Sequence, residues 1–220
     1  MPIEPQWLII GGVAALVGAI ALVARGIERK RREAYEQHCL IRGFKFEPER
    51  PEGERRFRDF FEPFNQGHSR RWSYTISGQL HGAAFTAFEY RWVTGGGKSS
   101  HTHHIGGLVW EADDAVFPQF SLTPEGWFSR LGQVFGMQDI DFDDAPEFSK
   151  AYRLKGPNEA AIRTLFTPEM RQFFAVTLGQ HVAGGGRFLF WWVDGRLPHA
   201  EQLDEWLELG DQVRRRFFKR

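Results

Sequence analysis

The sequence predicts an α+β protein: an N-terminal transmembrane helix, then one globular domain with a mainly antiparallel sheet and several helices. Three observations carry this. Residues 7–24, WLIIGGVAALVGAIALVA, hold no charged side chain and a basic cluster follows them directly. Alternating apolar and polar residues between 72 and 93 have the period of two that half-buried strands require. Further on, helix starts and amphipathic stretches are mixed with short strands, an order that suits α+β rather than repeated βαβ units.

The apolar run comes first. Eighteen residues at about 1.5 Å of rise cover about 27 Å, close to the roughly 30 Å hydrocarbon core of a bilayer. Arg25, Arg29, Lys30, Arg31 and Arg32 all lie after the run, whereas the segment before it carries Glu4 and no basic residue. A cleavable signal peptide needs the reverse order of charge, although Ala19-Ile20-Ala21 would offer a small-residue cleavage site. The run is therefore read as a retained anchor, with its N-terminus outside and the domain in the cytoplasm, following the Lys/Arg bias. Trp7 sits where an interfacial aromatic belongs. Gly11, Ala15 and Ala19 form a small-residue stripe through which two copies could approach closely. The organisation that follows is an anchor over residues 1–25, a basic juxtamembrane helix over 26–39 and a soluble domain over 40–220.

Within the juxtamembrane helix Glu28 and Arg32 have the i, i+4 spacing of a solvent-face ion pair. Gly43 and Pro48 end it, and the Pro/Glu-rich stretch 47–53 is read as a linker or loop. Phe57, Phe60, Phe61 and Phe64 return at near-helical spacing. Trp72, Tyr74 and Ile76, then Phe88, Tyr90 and Trp92, are the two arms of a β-hairpin turning between Gly78 and Gly82. A third strand is expected over 101–111, after the loop TGGGKSS.

Thr123-Pro124-Glu125 and Thr167-Pro168-Glu169 both carry a helix start: a hydroxyl cap, proline at the first helical position and an acid in the first turn. The first would open a helix whose apolar stripe is Trp127, Phe128, Leu131, Val134 and Phe135. Ile140 and Phe142, alternating with Asp139, Asp141 and Asp143, read as a short edge strand, and 157–166 as a small helix. RFLFWWV, residues 187–193, is the most apolar strand, stopped by Asp194-Gly195. Leu203, Trp206, Leu207, Gly210, Val213 and Phe217 describe a closing amphipathic helix.

Composition narrows the function. With 21 Phe and 8 Trp the chain has the apolar area for a substantial core. Its one cysteine, Cys39, excludes an internal disulfide and suits a reducing compartment. The net charge of zero conceals a segregation: residues 40–213 carry 18 Lys/Arg against 24 Asp/Glu, and the positive excess lies at the two ends. An acidic body is a poor partner for nucleic acid, which is excluded first. The basic ends suit an anionic membrane surface. The residues expected to touch it are Arg29, Lys30, Arg31 and Arg32 in the collar, with Arg214, Arg215, Arg216, Phe217 and Phe218 in the tail.

Catalytic and cofactor patterns are weak. Gly97-Lys98-Ser99 imitates the end of a P-loop, but the glycine required five residues earlier is Trp92, and a strand follows instead of a helix. Asp139, Asp141 and Asp143 lack the glycine and terminal glutamate of a calcium loop. His101 and His103 would share one face of a strand and could hold zinc, with Glu111, Asp113 or His81 as the third ligand. No nucleophile elbow is present and no catalytic residue is assigned.

The run FTAFEYRW, a Gly-Lys loop, FPQFSLTPE and QDIDFDDAPEFSKAYRLKGPNEAAIRTLF, between Phe85 and Phe166, resembles a loosely defined group of uncharacterised bacterial single-pass membrane proteins with one soluble domain. The resemblance covers about the middle third of the chain and implies a bacterial inner-membrane setting, with no catalytic residue or cofactor to carry over. The expected function is a binding or scaffolding module at the bilayer surface, with membrane lipid and a protein as partners. The alternative is a membrane-tethered, metal-dependent hydrolase using His101 and His103.

Overall fold

The structure, a computed structural model, describes residues 5–50, 52–112, 116–127 and 139–218, and within the first helix the side chains from Ile10 onward. That helix, α1 (Pro5–Arg42), is continuous. Its environment changes along its length. Every position from 10 to 30 is exposed, including Ile10, Leu16, Val17, Ile20 and Val23, so the apolar run touches nothing in the domain. From Arg31 the same helix becomes part of the domain: Tyr35 and Cys39 are fully buried, and Arg31, Ala34 and His38 are half-buried beside them. The anchor and the juxtamembrane helix 26–39 are thus one continuous helix. Gly11, Ala15 and Ala19 lie on the exposed part, while Trp7 belongs to the side chains outside the described set.

Gly43 ends α1 as expected. Its φ is +69°, its N–H donates to the Leu40 carbonyl, and the Phe44 N–H reaches back to Cys39 at 2.8 Å. This pair of bonds satisfies the last carbonyls of the helix and needs a left-handed residue. Gly43→Ala should cost about 1 kcal/mol, the strain of an L-residue at that φ, read as a lower urea midpoint. No loss would mean that the cap contributes nothing.

The domain is one eight-stranded, wholly antiparallel sheet in the order β1-β2-β3-β4-β8-β7-β5-β6. The hairpin of β2 (His68–Leu80) and β3 (Ala83–Thr94) and the third strand β4 (His101–Glu111) are where the alternation puts them. The stretch 47–53 is corrected in part: β1 (Lys45–Glu49) pairs with β2 and carries Pro48 on the sheet's open edge, where a missing N–H costs no ladder bond. Thr123 and Pro124 do not start a helix either. They end β5 (Phe117–Pro124), paired with β6 (Tyr152–Lys155), and the Thr123 hydroxyl caps nothing. The stripe Phe128 to Phe135 lies outside the described residues.

Residues 140–143 form no strand. Asp139 makes a single bridge to Lys155, and Ile140 and Phe142 are buried from an irregular segment. The last strands are β7 (His181–Gly186) and β8 (Phe188–Asp194).

The alternation in β2 is broken. A register shift lies between Ser73 and Ile76, and Tyr74 has φ +51°. This bulge sends Tyr74 and Ile76 to one face of the sheet and Trp72 to the other. The first face carries the end of α1 together with α2 (Pro146–Ala151), α3 (Glu159–Leu165), α4 (Pro168–Val176) and α5 (Leu203–Phe218). Asn158 caps α3, and Thr167 caps α4 as its sequence predicts. The second face is covered by the segment 54–66, whose Phe57, Phe61 and Phe64 pack on Trp72, Phe88 and Phe190 from two 3₁₀ turns rather than one helix.

Candidate functional site

Where α1 leaves its exposed apolar stretch, a cleft of about 610 Å³ opens between that helix and the first face of the sheet. Arg25, Glu28, Arg29 and Arg32 line it from α1, one helical face by spacing. Arg71, Arg91 and His104 line it from β2, β3 and β4, and Arg196 from the turn after β8. In total six arginines and one histidine face three glutamates.

The glutamates are all engaged. Glu28 accepts the Tyr74 hydroxyl at 2.7 Å and Arg196 at 3.3 Å. Glu49 pairs with Arg71. Glu89, only 4 % exposed, accepts from Arg31, from Arg196 Nε at 3.2 Å and from the Leu197 backbone N–H at 2.9 Å. Arg29 is taken by Glu33 on its own helix. Arg25, Arg32 and Arg91 are left with no hydrogen bond or ion pair among the described residues.

The strand register sharpens this. Arg71 lies opposite Arg91, and Arg91 opposite His104, so two guanidiniums and an imidazole stand in one cross-strand row. Like charges in that relation destabilise a sheet. Burial lowers the pKa of the His104 imidazole below its usual range, and Arg196 and Arg91 beside it act in the same direction. The cleft thus has a positive interior that the protein's own carboxylates do not neutralise.

The bulge at Tyr74 helps to build the cleft. It turns the ring against α1, where the hydroxyl holds Glu28, the Arg31 guanidinium lies 4.4 Å from the ring centre and Tyr35 meets it edge-on at 5.2 Å. A bulky residue at positive φ carries strain of roughly 1–2 kcal/mol; here it fixes the anchor helix to the sheet.

The residues singled out from sequence are placed differently from one another. In the collar, Lys30 is exposed, Arg32 lines the cleft and Arg31 is a buried structural cation on Glu89. In the tail, Arg214 pairs with the fully buried Asp211, Arg215 with Glu208 and Asp211, and Arg216 lies over the Phe173 ring at 4.7 Å. Phe217 is a core residue stacked on Phe120 at 5.6 Å, and Phe218 packs edge-on against Phe117. The tail is the last turn of α5. Its rings are committed to packing, so they are not free to insert among headgroups.

The histidine run divides between the two faces. His104 enters the cleft, whereas His103 stacks on Trp92 at 5.0 Å and bonds the Thr94 hydroxyl at 2.7 Å on the other side. His101 is exposed and pairs in register with Thr94. No third ligand stands with His101 and His103 among the described residues: Glu111 is at the far end of β4, and Asp113 lies outside the described set. His81 closes the β2–β3 turn at the other end of the hairpin. It belongs with Glu208 and Asp211, a cluster that Arg214 and Arg215 already pair. Cys39 is buried in the core, and burial, with the Asp204 charge acting in the same direction, pushes its thiol up to about 11, so it is an inert packing group. Gly97-Lys98-Ser99 is the turn between β3 and β4, as expected.

Sequence reasoning did not find Glu28, Glu49, Arg71, Tyr74, Glu89, Arg91 and Arg196 as parts of one site. The available signal was the hairpin: once 71 is set opposite 91, two arginines meet on one face.

Neither a protein-family model nor a curated protein matches the chain. Among solved structures it is similar to the crystal structure of the mycobacterial trehalose monomycolate transport factor A, TtfA, at 13% sequence identity and a TM-score of 0.57. The match covers 88% of this chain and 93% of that one, and what the two share is the fold.

Proposed function

We propose that this protein is a membrane-anchored, non-catalytic binding module whose α+β domain is held at the cytoplasmic face of the bilayer by its own anchor helix. The observation that carries the reading is the double use of α1. The apolar positions 10–24 are all exposed, and Tyr35 and Cys39 of the same unbroken helix are core residues. A tether of this kind is stiff, because no loop separates the span from the packed domain. The chain has one helix long and apolar enough to cross a membrane among the described residues. The orientation follows from the basic collar. The fold shared with a transport factor suits a module that binds or positions other molecules, and a bacterial inner-membrane setting agrees with the resemblance read between Phe85 and Phe166.

Two measurements test this reading. The full chain should stay in the membrane pellet through alkaline carbonate extraction, and protease added outside intact cells should leave the domain whole. Release by carbonate would overturn the anchor, and digestion from outside would overturn the orientation.

A further inference from the structure

Resting on the membrane-anchored reading, we infer that the arginine cleft binds the phosphate of an anionic lipid headgroup. Four observations meet there. The first is depth: Arg25 follows the apolar run directly, and from Arg25 to Arg32 the helix advances only about 10 Å. The interfacial layer on each side of a bilayer is roughly 5–8 Å thick, so the mouth of the cleft lies at headgroup level.

The second is unspent charge. Arg25 and Arg32 on the helix and Arg91 on the sheet face the same space from opposite walls without a carboxylate partner. Arginine presents a planar fork of donors that matches a phosphate oxyanion. The third is register: Arg71 stands opposite Arg91, a like-charge pair that an anion beside it would relieve, with the His104 imidazole next in the row. The fourth is fixation: Arg31, Tyr35 and Tyr74 lock helix to sheet through Glu89, Pro198 and Glu28, so both walls are set before the ligand arrives. Preformed walls lower the ordering cost of binding. The volume of about 610 Å³ admits a glycerophosphate headgroup with its ester oxygens.

The described part of the basic tail has none of these properties, since Arg214, Arg215 and Arg216 are committed to Asp211, Glu208 and the Phe173 ring. The acidic cluster around His81 is paired by arginines and offers an anion nothing.

The test uses the full chain in zwitterionic micelles, with native mass spectrometry reading lipid retained after phosphatidylglycerol, phosphatidylcholine or a phosphate-free glycolipid is added. The expected result is one phosphatidylglycerol held per chain in preference to the other two. Arg32→Gln with Arg91→Gln should weaken it roughly tenfold or more, at about 1 kcal/mol for each cation near the headgroups. Neither arginine has a hydrogen-bond or ion-pair partner among the described residues, and Arg91 stands opposite Arg71, so the double variant should melt no lower than wild type. Lys30→Gln with Arg216→Gln removes the same charge outside the cleft and should leave retention unchanged.

Equal loss in that control pair would reduce the effect to diffuse electrostatics and overturn the site. Retention of the glycolipid as strongly as phosphatidylglycerol would also overturn it. Displacement of the lipid by an equal concentration of free glycerol phosphate would give the cleft to a soluble phosphoester and overturn the lipid assignment. Carbonate extraction keeps the two readings apart: a chain that stays in the membrane without phosphate selectivity loses only the site.

Discussion

Glu89→Ala should destabilise the domain by about 3–5 kcal/mol, the cost of breaking a buried ion pair from one side. Glu89 is 4 % exposed and the Arg31 side chain 14 %, so removing the carboxylate leaves a guanidinium on the sheet with little water to take its place. The loss spreads further, because the same carboxylate accepts the Leu197 N–H and Arg196 Nε. Two elements distant in sequence are thereby released: α1 at Arg31 and the turn after β8. The stability change should appear as a lower urea midpoint of the full chain. Faster amide exchange should appear in α1 between residues 31 and 42, while β7 and β8 keep their protection. Replacing both partners, Arg31→Met with Glu89→Leu, should recover only part of the stability, since the Leu197 N–H stays unpaired. A cost below about 1 kcal/mol for Glu89→Ala would mean that water reaches the cleft floor and that the anchor helix is held by packing alone.

That Glu89 matters so much was not legible from the sequence, where it is one acid in an alternating strand. Parts of the fold that rest on local chemistry were legible. The Asp194-Gly195 stop, the Thr167 cap, the closing stripe from Leu203 to Phe217 and the 72–93 hairpin each follow from a short segment alone. Failures occur where a distant partner decides. Thr123-Pro124-Glu125 has every mark of a helix start, yet β6 and β7 pair with the segment before it and draw Thr123 into a strand. β7 reads HVAGGG, too rich in glycine for a strand by propensity. Its Gly184 is required because the Phe120 ring fills the position of a side chain, at 2.3 Å from where a Cβ would stand. Pro48 suggests a loop until the edge position of β1 is known.

The candidate site shows the same division. The collar arginines were visible because they follow an apolar run. Arg71, Arg91 and His104 were not, because only strand register makes them neighbours. The tail misled for the opposite reason. RRRFFKR has the composition of a lipid-binding end, but on α5 its rings fall on the core side, and Arg214 and Arg215 pair with Asp211 and Glu208. Composition gives the affinity a segment could have, and packing decides whether it is available.

A second large effect should appear as a pH dependence centred on His181. This imidazole is 1 % exposed, stacked on Trp192 at 4.8 Å and met edge-on by Trp127 at 4.9 Å. Its Nδ1 has no hydrogen-bond partner among the described residues, and Nε2 stands 3.7 Å from Asp194, beyond hydrogen-bond distance. Burial alone lowers its pKa to about 3 from an ordinary value near 6.5. The unfolded chain therefore takes up a proton that the folded one refuses, and stability must fall as pH drops below about 6.5, down to about 3. Between pH 7 and pH 5 the loss from this one group is about 2 kcal/mol. Burial shifts His103 and His104 in the same direction, so wild type alone cannot isolate the effect. His181→Phe keeps the ring stack and removes the proton site. Its urea midpoint should fall less between pH 7 and pH 5 than that of wild type, by an amount worth about 2 kcal/mol. Parallel curves would show that the imidazole accepts its proton in place, through closer approach of Asp194, and that the aromatic wall around it is open to water.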